Sequence, residues 1–454
     1  MVVTFSVANF RSFEDEETFS LVASKKLSGT HDNHLVPIPG TDASVLRAGV
    51  LYGANGAGKS NFFKALFYLR SMALNARGKG KGTGCEPFRF KNECADSSFD
   101  LQFIADNKLY RYGMIVNDET VVEEWLVEVI GKKEKPIYER ITDADGGVSV
   151  EGPGLKNGSR KLHALMTVGG PKEQSFLATI RATLEKNDFG DAIQTVIEWF
   201  ERGLNFVRPD TNFWPLGHTL GEDSDFKTFA SEFMRASSTG VDDLSVTKEE
   251  LSEEQLKLML PGNVYTQVIK NTEEEGKSIV ALGEDREVLV EKAGEHHYYL
   301  LTIQSMHRHE TSNVVRLDLS EESDGTRRLL NLLPALHRLH KDGGVFVIDE
   351  VERSMHPLLI YKFMEFFLSG CGGEQRQLVV TTHESNLLDQ ELLRRDEIWF
   401  SEKNKKGATK LYSLSDYQTR KDLKLDKHYL QGRFGAIPFL GDVEQLMEKE
   451  KVLL

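Results

Sequence analysis

Between Leu51 and Ser60 the chain reads LYGANGAGKS, with four residues between Gly53 and the run Gly58, Lys59 and Ser60. This is the spacing G-x-x-x-x-G-K-[ST] of a phosphate-binding P-loop. The small residues Gly53, Ala54, Asn55, Gly56, Ala57 and Gly58 let backbone N–H groups fold inward around an anion. The helix that leaves the loop at Asn61 presents its positive end to the same anion. Lys59 has the reach and charge for the β- and γ-phosphates, and the Ser60 hydroxyl is a ligand for Mg²⁺. ATP and Mg²⁺ are therefore the expected cofactors.

Three further constellations carry chemistry. GGVFVIDE, Gly343 to Glu350, runs four apolar residues into two acids, as a central strand does when it delivers carboxylates to its C-terminal edge. Asp349 is expected to hold Mg²⁺ through water, and Glu350 to orient and deprotonate the attacking water. In LVVTTHES another apolar run ends at His383, placed to donate a hydrogen bond to the γ-phosphate and sense its loss. EESDGTRRLLNLLPAL, Glu321 to Leu336, sets Ser323 and Gly325 ahead of an apolar helix. Serine, glycine and a helix N-terminus make an anion site. One chain does not need two phosphate ends for one nucleotide, and a second copy of the protein could supply this one. The plainer reading is an N-cap, with Ser323 or Asp324 starting the helix.

The elements that must position these residues follow from periodicity. A strand over Val45 to Leu51 feeds the loop, and a helix over Asn61 to Ala76 leaves it with Phe62, Leu66, Leu69 and Ala73 on one stripe. Residues 1 to about 20 read as two strands meeting at Asn9–Ser12. Short alternating runs over Phe99–Ile104, Leu109–Val116, Glu123–Ile130 and Pro136–Arg140 predict an antiparallel sheet. From about 160 to 260 the period is helical, over Gln174–Glu185, Ala192–Arg202, Asp225–Met234 and Ser252–Met259. Strand-like runs return over 262–320, such as Tyr298–Ser305 and Val314–Leu317. Parallel-sheet grammar then resumes: helix Leu329–His340, strand Gly344–Ile348, helix Leu358–Leu368, and strands Leu378–Thr381 and Glu397–Phe400. The predicted class is α/β, a mixed and parallel sheet core plus an antiparallel β subdomain. The expected divisions are 1–160, an inserted mainly helical subdomain at 161–300, and 301–454.

Bulk properties narrow the function. No run of eighteen apolar residues spans a membrane, and MVVTFSVANFRSF lacks a signal peptide's apolar block, so a cytoplasmic location is expected. Cys85, Cys94 and Cys371 are too few and scattered for a disulfide framework or zinc cage, and read as buried free thiols. A net charge of −14 argues against wrapping nucleic acid over most of the surface, without excluding a local basic track. The short clusters Arg77/Lys79/Lys81, Arg394/Arg395 and Lys403/Lys405/Lys406 read as solvated loops or helix ends. His307-Arg308-His309-Glu310 and His296-His297 lack a third ligand and are declined as metal sites. Ser354 and His356 fit subunit contact better than nucleophilic catalysis.

The order P-loop, S-x-G signature, apolar strand ending in Asp-Glu, D-loop-like VERSMHP (Val351 to Pro357) and switch histidine resembles the ATP-binding-cassette head of the SMC, RecF and OLD ATPases. The likeness looks closer to the RloA/AbiL-like AAA-family ATPases of bacterial phage defence. NFRSF (Asn9 to Phe13), YGANGAGKSN, ESDGTRRL, DEVERSMHP, TTHESNLLD, RRDEIWF and YLQGRFGAIP carry it. The resemblance implies an ABC-type P-loop ATPase with ATP clamped between two heads of a homodimer or higher oligomer, each site completed by Ser323 and Gly325 of the other copy. It further implies an abortive-infection ATPase responding to a phage-derived trigger. OLD proteins carry a TOPRIM nuclease after the ATPase. The 71 residues beyond His383 show no D-x-D with an upstream glutamate. A nuclease effector, TOPRIM-like or otherwise, is thus expected on a separate chain. A RecF- or SMC-like DNA-repair or DNA-loading ATPase is the alternative, and the acidic balance and missing coiled-coil arms lean against it. A scaffold that binds ATP without turnover is a third reading, opposed by the presence of Lys59, Asp349 and Glu350 together.

Overall fold

The computed structural model describes residues 1–454 apart from 79, 91–94, 157, 211, 212, 214, 309–313, 370–374, 418–423 and 438–454. The chain forms two compact units, Met1–Phe206 with Gly343–Val351 and Leu368–Leu454, and Val207–Asp342 with Glu352–Phe367. Among the described residues no helix is long and apolar enough to cross a membrane.

In the first unit, strands Ala48–Tyr52 and Arg376–Thr382 are buried along their whole length. A strand with no wet face belongs inside a parallel sheet covered on both sides, and the pairing agrees. Gly344–Ile348 runs parallel to Arg376–Thr382, which runs parallel to Ala48–Tyr52, and Ile398–Lys403 flanks the last in parallel. Leu204–Val207 and the antiparallel Thr409–Ser413 form the edges of this six-stranded mixed sheet. Ile348 lies opposite Val380, and Thr381 opposite Leu51, so the parallel strands deliver Asp349, His383 and the P-loop to one C-terminal edge.

The alternating runs pair as expected into a seven-stranded antiparallel sheet, from Val148–Glu151 through Lys133–Thr142, Val121–Ile130, Lys108–Val116 and Ser97–Ala105 to Val2–Ala8 and Glu17–Ser20. The helix after the P-loop, Lys59–Leu74, buries Phe62, Phe63, Leu66 and Leu69 in the core shared with this sheet. Phe62 meets Phe5 edge-on at 5.7 Å and Phe19 at 4.9 Å, which pins the helix and with it the loop.

The second unit holds an antiparallel sheet in the order Asp243–Leu251, Glu295–Arg308, Arg286–Ala293, Lys277–Ala281, with Val314–Asp318 also paired to Glu295–Arg308. Helices Glu253–Met259 and Gly262–Glu275 cover one face, packing Leu256 and Val268 on Val288 and Val290. Helix Asp324–Lys341 lies against Ser224–Ala236, where Phe229 stacks near His337 at 5.4 Å.

The observed division differs from the expected insertion at 161–300. Helices Arg160–Val168, Phe176–Thr183 and Asp191–Glu198 belong to the first unit. The buried Glu124 carboxylate explains this, since it accepts from the Tyr138 hydroxyl at 2.7 Å and the Phe176 N–H at 2.5 Å, tying that helix to the antiparallel sheet. Asp243–Leu251 is a strand absent from the sequence reading, because Lys248, Glu249 and Glu250 are exposed at a sheet edge and break the apolar alternation. Gly262–Glu275, expected as strand-like, is a helix that turns Val268 and Thr272, four apart, to the core. Arg394, read as solvated, is 1 % exposed; its guanidinium grips both Asp396 oxygens at 3.0 and 2.9 Å and donates to Leu27 O. Burial of an arginine is tolerable only with such pairing.

Candidate functional site

The P-loop is braced from behind by residues far away in sequence. Gly58 has φ +113°, a conformation that L side chains rarely adopt, and a Cβ there would collide with Thr409 Oγ1. Thr409 Oγ1 lies 2.8 Å from Ser12 Oγ and 2.9 Å from Ala57 O, and Ser401 Oγ donates to Ala57 O at 3.0 Å. The Asn61 amide donates to Ser12 Oγ at 2.8 Å, so here it braces the loop. Asn55 and Gly56 are exposed at the tip, and the space beside Gly56 is open. The buried Lys59 ammonium donates to Gly53 O at 2.6 Å and Ala54 O at 3.2 Å, folding its charge over its own loop.

At the sheet edge, Asp349 is 5 % exposed, and its Oδ1 accepts from Thr381 Oγ1 at 2.6 Å and Ser60 Oγ at 3.3 Å. Glu350, partly exposed, has φ +49°, and its N–H donates to Thr381 Oγ1 at 2.9 Å. His383 is exposed just beyond the end of strand Arg376–Thr382. The structure thus brings Ser60 and Asp349 into contact and sets Glu350 beside the strand that leads to His383.

In the second unit Ser323 caps helix Asp324–Lys341, its hydroxyl accepting from Thr326 N at 3.2 Å. The N-cap reading therefore describes its local state. A Cβ on Gly325 would sit 2.7 Å from Ser354 O, so only glycine allows the helix start to approach that loop. Ser354 itself has φ +61°. Arg327, Arg328, Arg353 and Asn331 line an open groove of about 390 Å³ beside this helix start, together with Asp324 and Asp210. Arg327 is engaged by Asp324 and Glu284.

Thr381, Ser12, Ser401 and Thr409 were not singled out in the sequence. Thr381 and Ser12 left a signal, Thr381 standing two residues before His383 in the run TTHES and Ser12 lying within NFRSF. Cys85 is buried, and burial pushes its thiol up to about 11. Cys94, Cys371, Lys79, His309 and Glu310 lie outside the described residues. His307 Nε2 is 2.6 Å from Glu322 Oε1, and His296 Nε2 is 3.0 Å from Glu273.

With this geometry in place, comparison with known proteins adds a family. Residues 50–161 and 200–389 match the family described as "AAA domain, putative AbiEii toxin, Type IV TA system". The chain belongs to this AAA-domain family. The matched stretches contain Gly53 to Asn61, Ser323, Gly325, Asp349, Glu350 and His383. Together with the parallel sheet and its P-loop, membership makes this an α/β chain of the AAA-domain class with a P-loop nucleotide site. No curated protein matches it significantly. Among solved structures it is similar to the SMC head domain from Thermotoga maritima, at 11 % identity and a TM-score of 0.39, over 91 % of this chain and 98 % of that one. An SMC head bound to the C-winged helix domain of ScpA gives 12 %, 0.41, 91 % and 97 %. An SMC head with an extended coiled coil, bound to the ScpA C-terminal domain derived from Pyrococcus furiosus, gives 11 %, 0.36, 91 % and 96 %. Scores this low carry no weight beside the family match and the site geometry.

The residues present suit a magnesium nucleotide. Ser60 Oγ and Asp349 offer hard oxygen donors 3.3 Å apart at the mouth of the loop, and Lys59 adds a cation within reach of the same loop.

Proposed function

We propose that the protein hydrolyses ATP and uses the bound and hydrolysed states to switch a separately encoded effector in an antiviral defence system. The observation that carries the enzymatic part is the contact of Ser60 with Asp349, beside Glu350, at the C-terminal edge of a buried parallel sheet. Mg²⁺, when bound by Ser60 and, through water, by Asp349, supplies charge neutralisation at the β- and γ-phosphates. The chain's own residues do the rest. The loop N–H groups from Ala54 to Ser60 cradle phosphate oxygens. Lys59 leaves the Gly53 and Ala54 carbonyls and turns to the phosphates. Glu350 holds the attacking water and takes its proton, and His383 donates to the γ-phosphate.

In this reading a second copy supplies Ser323 and Gly325, and each nucleotide is closed between two heads. The helix start capped by Ser323 supports an anion-facing role for that surface, while the groove beside it sets three arginines against three acids, Asp210, Glu284 and Asp324. The toxin–antitoxin wording of the family supports the defence assignment, with a nuclease as the expected effector and a phage product as trigger. The test is expression with the neighbouring gene. The native pair should copurify and arrest phage-infected cells, and Lys59→Ala should abolish both ATP turnover and arrest. Strong, salt-sensitive stimulation of turnover by duplex DNA with no copurifying partner would instead favour a DNA-loading ATPase.

A further inference from the structure

We propose that Thr381 is a positioning residue whose single hydroxyl sets both acids of the site. The inference rests on the reading of Asp349 and Glu350 given above and deepens it. Thr381 is fully buried in strand Arg376–Thr382, next to its C-terminal end. Its Oγ1 lies 2.6 Å from Asp349 Oδ1 and 2.9 Å from Glu350 N. The directions of these bonds are fixed by chemistry. An amide N–H can only donate and an ionised carboxylate can only accept, so the hydroxyl spends its proton on Asp349 and a lone pair on Glu350. Valine has the same shape and can do neither.

The main chain adds a second grip. Val351 N donates to Thr381 O at 3.2 Å, so Glu350 is flanked on both sides by bonds to the same threonine. Between them Glu350 is held at φ +49°, a region sparsely populated by residues with a Cβ. Such a conformation persists where the surroundings over-determine it, and it recurs at functional sites. Here it aims the side chain that follows directly on Asp349.

The third contact reaches the P-loop. Asp349 Oδ1 also accepts from Ser60 Oγ at 3.3 Å, so a chain of hydrogen bonds runs from Thr381 through Asp349 to Ser60 in the first turn of helix Lys59–Leu74. His383 is two residues downstream on the same segment. A displacement of that segment therefore reaches the Glu350 main chain through one side chain. Outer partners that orient a ligating group are commonly worth about ten- to a hundredfold in metal affinity or activity.

The test uses the full chain as native protein, Thr381→Val and Thr381→Ser. Two experiments are run: Mn²⁺ binding in the presence of ATPγS, read by electron paramagnetic resonance, and steady-state kinetics giving kcat and KM for ATP with Mg²⁺. Thr381→Val should weaken Mn²⁺ binding about tenfold and lower kcat about tenfold or more, with KM within about twofold of native. Thr381→Ser, which keeps the hydroxyl, should return both quantities to within about threefold of native. Native-like Mn²⁺ binding and kcat in Thr381→Val overturn the proposal. So does a serine variant as impaired as the valine variant, since the methyl group would then be what matters. If thermal melts show Thr381→Val unfolded, Thr381→Ala replaces it under the same criteria. A native protein with neither nucleotide-dependent Mn²⁺ binding nor turnover overturns the reading of the two acids itself. A native protein with both, matched by the valine variant, overturns the role of Thr381 alone.

Discussion

Gly58→Ala should weaken ATP binding sharply, and the geometry around the residue sets the scale of the loss. The residue sits at φ +113°, and moving an L-residue there costs at least about 1–2 kcal/mol. The added methyl also meets Thr409 on Oγ1 and Cγ2 and Ser12 on Oγ. Thr409 cannot turn away cheaply, because its hydroxyl bridges Ser12 Oγ at 2.8 Å and Ala57 O at 2.9 Å in a buried setting. Breaking that bridge leaves a buried polar group unpaired, at about 1–3 kcal/mol. The two penalties together fall at about 2–5 kcal/mol, against the geometry that aims the loop N–H groups inward. Affinity should therefore drop by roughly thirty- to several-thousandfold. The assay is fluorescent ATP-analogue titration with Mg²⁺, beside a thermal melt to show that the fold survives. The double variant Gly58→Ala with Thr409→Ala should recover part of the loss, since the collision is relieved while the backbone penalty stays. Native affinity in Gly58→Ala would refute the claim that the loop is clamped by the Thr409 hairpin.

Two further outcomes follow from the same geometry. Glu350→Gln keeps the main-chain bond to Thr381 and removes only the base, so ATP should still bind while kcat falls about 10²- to 10⁴-fold in a coupled phosphate-release assay. It should also accumulate a nucleotide-bound dimer on gel filtration, and turnover at the native rate would show that Glu350 is not the base. Cys85 should resist maleimide at pH 8. Burial raises its thiol to about 11, leaving roughly a hundredfold less thiolate than an ordinary cysteine, and peptide mass spectrometry of the labelled protein reads this directly. Rapid labelling of the native Cys85 peptide would contradict the packing around it.

The parts of the fold that could be read from sequence were those whose burial is all or none. Gly344–Ile348 and the Leu378–Val380 core of Arg376–Thr382 are apolar runs, and they lead into the acids and the histidine. The seven-stranded sheet was legible from short apolar runs separated by turn residues, with a period of two visible in strands such as Ser97–Ala105. Asp243–Leu251 was not, since an edge strand with Lys248, Glu249 and Glu250 facing solvent carries no period of two. The division of 161–300 was hidden for another reason. It depends on Glu124, a buried carboxylate whose partners Tyr138 and Phe176 are distant in sequence. The candidate site divides in the same way. Its phosphate loop and acids form contiguous motifs, whereas Ser12, Ser401 and Thr409 are scattered residues; Ser401 and Thr409 are brought to the loop by the sheet order that sets Ile398–Lys403 beside the P-loop strand and Thr409–Ser413 beside Ile398–Lys403.

In the proposed dimer one nucleotide is closed by two copies of the chain. The most direct measurement mixes Lys59→Ala with Ser323→Arg, each inactive alone, and follows ATP turnover while differently tagged subunits are shown to exchange. A shared site predicts activity returning to roughly a quarter of native at equal mixing, because half the dimers are hybrids and each hybrid has one intact pocket. Zero turnover at every ratio despite proven exchange, or native turnover by Ser323→Arg alone, would contradict it.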